Sequence, residues 1–376
     1  MKYLFINSVC GIGSTGRICT DLAQELEARG NEVKIAYGRD DYVPNQYRKY
    51  AVKIGTDIDR KMHALRTRLL DEHGFGSKRA TENFLVWVEK YKPDVLWLHN
   101  IHGYYINVEM LFGWIKRHPE IQVKWTLHDC WAFTGHCSYF TMVKCEQWKD
   151  HCLYCPQLRR YPKCYLKGNV SRNFDRKKMA FTGVNKMTLI VPSKWLADLV
   201  KQSFLREYPT EVHYNTIDKN VFKPTPSDFR GKYGLQDKFV VLGVASVWDE
   251  RKGLDDFIKL SEMLDEQKYS IVVVGLSKEQ LSAQKKSIIG IGRTESAKEL
   301  AGIYTAADVF VNPTYEDNYP TVNLEAKACG TSVITYNTGG SPESVPLDNV
   351  IERGEIQLLC RRIVCICEKG TASECN

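Results

Sequence analysis

No stretch of about 18 consecutive apolar residues occurs in the 376-residue chain, which excludes a helix that crosses a bilayer. There is no basic tail or arginine-rich arm either. The 52 Lys and Arg against 45 Asp and Glu give a net charge of +7, but the excess is spread along the chain. Nucleic acid is therefore not indicated, and the sign favours phosphate-bearing ligands or an anionic membrane surface. A secretory leader is not expected either. The opening MKYLFINSVCG holds one Lys and then a short apolar run that stops at Asn7 and Ser8. That reads as a first strand, so the chain is expected in the cytoplasm. With 43% hydrophobic and 26% charged residues, an intrinsically disordered chain is excluded as well.

What is present is a repeated rhythm of strand, turn and helix. Tyr3 to Ser8, Val33 to Tyr37, Val95 to His99 and Val123 to Leu127 read as strands. Between them lie the helical faces of Ile18, Leu22 and Leu26, of Thr81 to Tyr91, and of Val108 to Lys116. Gly30 stands where a helix C-cap would. Residues 130–170 break the rhythm with Cys, Tyr, Trp, Lys and Arg, and read as an inserted loop structure. The rhythm returns at Thr188 to Val191, with a capped helix from Ser193 and a short strand near Val212. A polar turn, Asn215 to Asp218, and then Pro224 and Pro226 form the linker candidate. A second series follows, with strands near Phe239 to Val244, Ser270 to Val274, Val309 to Asn312 and Val333 to Thr335. Alternation of this kind predicts α/β architecture in two parallel-sheet domains, residues 1–214 and 215–376. Ligands of such sheets bind outside the carboxyl ends of the strands, here in a cleft between the domains.

Residues 312–343, NPTYEDNYPTVNLEAKACGTSVITYNTGGSPE, are the most specific stretch. A strand ends at Asn312, acids follow, and a helix opens near Tyr319 or Pro320, where a proline suits the first turn. Exposed N–H groups at that terminus, around Asn318, Tyr319, Pro320 and Thr321, suit a diphosphate. Glu325 lies further along the helix and could accept two hydrogen bonds from vicinal ribose hydroxyls; the bland alternative is a surface Glu. In GVASVWDERKGLDDFIKL, residues 243–260, a strand opens into a loop with Arg251 and Lys252, and Gly253 precedes a helix. Two cations there could neutralise a diphosphate leaving group, or be no more than a solvated charged turn.

These motifs resemble the family 4 glycosyltransferases, retaining enzymes of the GT-B fold that use nucleotide-sugar donors. Their E-x₇-E element, followed by A-x-A-C-G-T-P-V-I and a Gly-Gly turn, is matched by Glu325 to Ile334 and by Gly339 to Glu343. The first acid is either Asp317, seven intervening residues before Glu325, or Glu316 one further out. The family's arginine five residues before Lys252 is replaced by Val247, with Arg251 as the candidate substitute. Asn215-Thr216-Ile217-Asp218, with Phe222 and Pro224, resembles the family's inter-domain N-G-[IV]-D…F-x-P element, with Thr216 in place of Gly.

In the N-terminal half, Gly11-Ile12-Gly13-Ser14-Thr15-Gly16 follows the first strand. The second strand ends in Tyr37-Gly38-Arg39, without the acid of a dinucleotide site, which disfavours an NAD-dependent dehydrogenase. The resemblance implies instead that Gly11 and Gly13 approach the donor phosphate. It implies that His128, in Thr126-Leu127-His128-Asp129, contacts the donor sugar, and that His99, His102 and Asp129 lie on the acceptor side. It implies no side-chain nucleophile and no catalytic cofactor. The leaving diphosphate takes the acceptor proton, and the protein stabilises its charge. The expected partners are a nucleoside-diphosphate sugar and a hydroxyl acceptor, a glycan or lipid-linked glycan, with peripheral contact at the inner membrane face. Epimerases and phosphorylases of the same fold are the nearest alternative, and a lapsed zinc-containing binding protein is another. GT-B chains finish with a helix that crosses back to the first domain; here the chain stops soon after Cys367, so that helix is expected to be short or missing.

Cysteine is abundant, with thirteen residues, six of them between Cys130 and Cys164. Cys137, Cys145, Cys152 and Cys155 are spaced C-x₇-C-x₆-C-x₂-C. The last pair has zinc-knuckle spacing, so the group reads as a structural zinc site, with His136 and Cys164 in reserve, or as free packing thiols.

Overall fold

The computed structural model describes residues 1–369 apart from 284 and 286. The chain forms two compact units, Met1–Tyr214 and Asn215–Asn376. In unit 1 the strands are β1 (Lys2–Ile6), β2 (Glu32–Tyr37), β3 (Ala51–Lys53), β4 (Val95–Leu98), β5 (Gln122–Thr126), β6 (Met187–Val191) and β7 (Thr210–Val212). They form one parallel sheet in the order β3-β2-β1-β4-β5-β6-β7. The helices of this unit are α1 (Gly13–Ala28), α2 (Asp57–Leu70), α3 (Lys78–Tyr91), α4 (Val108–Lys116), α5 (Val170–Phe181) and α6 (Lys194–Gln202).

The central strand explains the layering. Leu4, Phe5 and Ile6 of β1 have no exposed surface, as a strand covered on both faces requires. Phe5 looks into a cluster with Ile35, Trp97 and Ile190, while Leu4 and Ile6 face Leu96, Leu98 and Trp125 on the other side. Chain order reverses between β1 and β4, so the loops after these strands part and leave a crevice for a ligand.

Unit 2 repeats the plan with β8 (Phe239–Val244), β9 (Tyr269–Val274), β10 (Ile288–Ile291), β11 (Val309–Asn312), β12 (Ser332–Tyr336) and β13 (Val350–Ile351). Its parallel order is β10-β9-β8-β11-β12-β13, with the reversal between β8 and β11. Its helices are α7 (Phe229–Tyr233), α8 (Leu254–Met263), α9 (Lys278–Ser282), α10 (Ala297–Ala306), α11 (Thr321–Ala328) and α12 (Ile356–Lys369). Val241, Val273 and Ile334 point into one core and Val240, Val272 and Val333 into the other.

Three features depart from the sequence expectation. The short β3 and the helix α2 occupy a stretch without core-facing periodicity. Segment 130–170 has short turns instead of long elements, but it does not stand apart, since Phe133, Phe140 and Trp148 stack together inside the core of unit 1. The third is α12, a helix that the sequence reading did not place, whose Leu359, Ile363 and Ile366 enter the unit 2 core. Residues 370–376 lie outside the described residues.

Asp256 in the first turn of α8 ties three elements of unit 2 together. Its Oδ2 accepts hydrogen bonds of 2.9 Å from the hydroxyls of both Tyr315 and Tyr336, and Oδ1 accepts one of 3.0 Å from Lys259. Asp256→Ala leaves both hydroxyls without this acceptor, at about 1–3 kcal/mol each where they stay unsatisfied. Urea denaturation should show that loss, and Tyr336→Phe in the same background should recover part of it. An Asp256→Ala protein as stable as the parent would mean that this clamp holds nothing.

Candidate active site

In unit 2 the loops after β8 and β11 pack on each other through bare backbone. The 3₁₀ turn Glu250–Lys252 ends at Gly253, whose φ is +74°. A Cβ at Gly253 would stand 2.2 Å from the carbonyl oxygen of Pro313. Across this contact the carbonyl of Arg251 accepts from the N–H of Tyr315 at 2.7 Å and from the hydroxyl of Thr314 at 3.2 Å. The Arg251 guanidinium donates to the carbonyl of Glu316 at 3.0 Å. Lys252 Nζ lies 2.5 Å from Oδ2 of Asp317. Burial works against ionisation of Asp317, but Lys252 and Arg251 outweigh it and hold its carboxyl below the usual range. Of the two candidate acids, Asp317 is thus the one in the ion pair. Glu316 is buried, and its carbonyl takes the Arg251 and Thr314 hydrogen bonds.

The same loop leads into α11. Its N-cap is Pro320, which offers no side-chain cap, so the first-turn N–H groups present the positive end of the helix beside Lys252's loop. Asn318 N–H donates to Asp317, and the Asn215 amide donates to the carbonyl of Tyr319. Thr321 opens the helix. Four residues on, Glu325 is buried, not a surface Glu, and accepts a 3.1 Å hydrogen bond from Tyr304. Neither Tyr304 nor Asn323 was singled out from the sequence. Asn323 joins Asn312, Ser341 and Ser344 in a buried network that fixes the Gly339-Gly340 turn against α11. At Gly339, φ is +56° and a Cβ would stand 1.8 Å from the Asp317 carbonyl oxygen. The arrangement gathers two cations and an uncapped helix start within one loop system, which is what an anionic group such as a diphosphate needs.

Unit 1 gathers its candidates on the loops after β1, β4 and β5. Gly11 and Gly13 both have positive φ, and a Cβ at Gly11 would strike the ring of Tyr47 at 2.5 Å. Asn7 binds the carbonyl of Val9 and accepts from the N–H of Asn100, joining the β1 and β4 loops. His99 and His128 stack with Nδ1 and Nε2 3.0 Å apart, so one ring must donate and the other accept. Burial pushes both down, His128 to about 4. His102 Nε2 lies 3.1 Å from Asp129, whose other oxygen accepts the N–H of Trp131. Burial opposes ionisation of Asp129, yet His102 and the Trp131 N–H keep its carboxyl low. His73, Tyr161 and Lys177 surround this pair and were not foreseen. Lys177 is buried over the Trp131 ring and donates to the carbonyls of Trp131 and Thr134, and burial pulls it down to about 7. A lysine in an amphipathic helix gives no sequence sign of such a position. Cys137, Cys145, Cys152 and Cys155 lie around one small cavity together with His136.

Comparison with known proteins agrees with this layout. Residues 227–363, within unit 2, match the family model of glycosyl transferases group 1. Over 374 residues the chain is 28% identical to WcaC of Escherichia coli K12, described as a colanic acid biosynthesis glycosyl transferase, covering 91% of this chain and 85% of that one. Sucrose-phosphate synthase from Thermosynechococcus elongatus superposes with a TM-score of 0.70 at 16% identity, over 98% of this chain and 90% of the other. HepE of Anabaena, solved with UDP-glucose, gives 0.65 at 16% identity, over 99% and 91%. Residues 227–363, which carry the cationic loop, are thus a domain of the glycosyl transferases group 1, and the two Rossmann-like parallel-sheet units have the GT-B fold.

Proposed function

We propose that the chain is a retaining family 4 glycosyltransferase that moves a sugar from a nucleoside-diphosphate sugar to a hydroxyl acceptor. Unit 2 takes the donor and unit 1 the acceptor. The observation that carries this reading is the Arg251–Lys252 turn locked against the loop that opens into the uncapped α11. Lys252, steered by Asp317, and the helix start meet the diphosphate; Glu325, fixed by Tyr304, takes the ribose hydroxyls; Glu316, Asn318 and Gly11 and Gly13 belong to the donor's surroundings. His99, His102, His128 and Asp129 form the acceptor-side patch. Catalysis is electrostatic: charge grows on the β-phosphate as the glycosidic bond breaks, and the leaving diphosphate takes the acceptor proton. No metal is needed for that step. The UDP-glucose held by HepE and the colanic acid setting of WcaC support a nucleotide-sugar donor and an acceptor in polysaccharide or lipid-linked glycan assembly.

Lys252→Ala should cut turnover by about 10²–10³, because an interaction that strengthens with the developing anion acts on kcat more than on KM. Glu250→Ala, from the same turn, is the control and should change little. Steady-state kinetics with radiolabelled donor measures both. Wild-type turnover in Lys252→Ala would place the phosphate site elsewhere, and release of an epimerised sugar nucleotide would replace the transferase reading.

The acceptor setting extends to the inner membrane face. Helix α2 turns Ile58, Met62, Leu65 and Leu69 outward at spacings of four, three and four residues, all exposed. Arg60, Lys61, Arg66 and Arg68 share the helix, the first two paired with Asp57 and the third with Glu72, and no described helix is long and apolar enough to cross a membrane. An apolar stripe flanked by cations suits the surface of anionic lipid. Met62→Glu with Leu65→Glu should weaken co-sedimentation with phosphatidylglycerol vesicles at least about tenfold, since each lost apolar contact is worth about 1.5–3 kcal/mol. Unchanged sedimentation would remove α2 from the membrane.

A further inference from the structure

Segment 130–170 contains chemistry that glycosyl transfer does not use. Cys137, Cys145, Cys152 and Cys155 surround a cavity of about 10 Å³, space for a single small ion or water. Cys137 donates a hydrogen bond to the sulfur of Cys155, and the main-chain N–H groups of Gly135 and Gln157 donate to Cys152 and Cys155. Among the described residues, no three His, Cys, Asp or Glu side chains already stand at metal-holding geometry. The four free cysteines line the cavity.

Two further side chains point to what the cavity takes. His136, 2% exposed, has Nδ1 2.5 Å from Asp71 and an Nε2 with no partner. An ionised carboxylate only accepts, so Nδ1 carries the proton, and in the neutral ring Nε2 is a bare lone pair in the wall of the sulfur cavity. Held in this way by Asp71, the ring lines the same cavity as the four thiols and ties their segment to the end of α2. Lys177, 1% exposed, donates to the carbonyls of Trp131 and Thr134, and Asp71, ahead of Cys137 and Cys152, is the group that favours its charge.

We propose that Cys137, Cys145, Cys152 and Cys155 form a structural thiolate site for a tetrahedral divalent ion of the zinc class, with the Asp71–His136 pair and Lys177 as its immediate surroundings. On binding, each thiol gives its proton to solvent and its sulfur to the metal, so one ion replaces four S–H protons. The closed four-sulfur shell leaves no open position, and the ion's role is to fasten the segment that carries Trp131 and the neighbouring Asp129 onto unit 1. The inference does not depend on the glycosyl-transfer reading.

The test is elemental analysis of the full-length protein purified without chelator, which should find about one equivalent of zinc. Cys152→Ser with Cys155→Ser should lower metal content about tenfold and lower Tm. Because that variant could fail to fold, the wild-type protein stripped of metal and refilled with cobalt(II) gives a second readout. It should show thiolate-to-cobalt charge-transfer absorption and the visible bands of a tetrahedral site, and lose reactivity of four thiols toward a disulfide reagent. Metal-free protein that gives no cobalt–thiolate band overturns the proposal, and so does iron in place of zinc.

Discussion

Two positions without side chains hold the Glu316–Asp317 loop of unit 2 in place. At Gly253 and Gly339 the backbone runs so close to the carbonyls of Pro313 and Asp317 that any Cβ would overlap them. Both also have positive φ, which a side chain would strain further. Only because these approaches are possible can the Arg251 and Lys252 turn reach the Glu316–Asp317 loop from one side, and the Gly339-Gly340 turn from the other. The ion pair of Lys252 with Asp317, the Asn323 network and the open start of α11 follow from that close stacking. A partly buried ion pair alone is weak evidence of stability. Here the packing of backbone on backbone fixes the geometry, and the charges are carried by it.

Unit 1 handles its polar groups differently. Unit 2 pairs opposite charges, whereas the loops of unit 1 place imidazoles against each other in a buried patch. Neither ring of the His99–His128 pair gains by ionising there, because a proton on one disfavours a proton on the other. His128 stays neutral down to about pH 4, while an unfolded chain takes up its proton near the ordinary value of 6.5. Acid between these values therefore favours the unfolded state, and the contribution of the neutral ring is present in full only above the upper one. The neutral pair presents one donor line and leaves the His99 Nε2 buried, a polar surface without net charge. Beside it, Asp129, held low by His102 and the Trp131 N–H, brings a carboxylate to the patch.

The strands and the donor loop were legible in the sequence because their signals are local. Continuous apolar runs such as Leu4 to Ile6, a proline at the start of α11 and glycines at turns each follow from the chemistry of a few neighbouring residues. Lys252 and Asp317 could be nominated separately, but their pairing spans 65 residues and needed the fold. Asp256, Tyr304 and Lys177 were invisible for the same reason, since each is an ordinary helical residue whose partners lie far away in sequence. Helix α2 escaped for the opposite reason: its apolar residues face outward, so its pattern does not describe a core. Segment 130–170 read as an inserted loop structure, yet Trp131, Phe133, Phe140 and Trp148 are all buried. Aromatic side chains carry enough apolar area to anchor a loop without any periodicity to announce it.

The two units also differ in how individual they are. The match to the glycosyl transferase group 1 model lies wholly in residues 227–363, while segment 130–170 belongs to unit 1. A domain shared by a family carries its loops from one protein to the next, whereas a surface particular to one protein needs no shared motif. Such a surface is built most freely on a long segment with no strand or long helix of its own. Ordering some forty residues costs about 1–2 kcal/mol of backbone entropy for each, so many contacts must hold them. Here Asp71 at the end of α2 receives His136 and the N–H of Asn169 from either end of the segment. Lys177 pins the carbonyls of Trp131 and Thr134, and the stacked Phe140 and Trp148 fill the space between. These restraints converge on the loop that starts at His128 and Asp129, so the segment's order and the placing of the histidine patch are one structural problem.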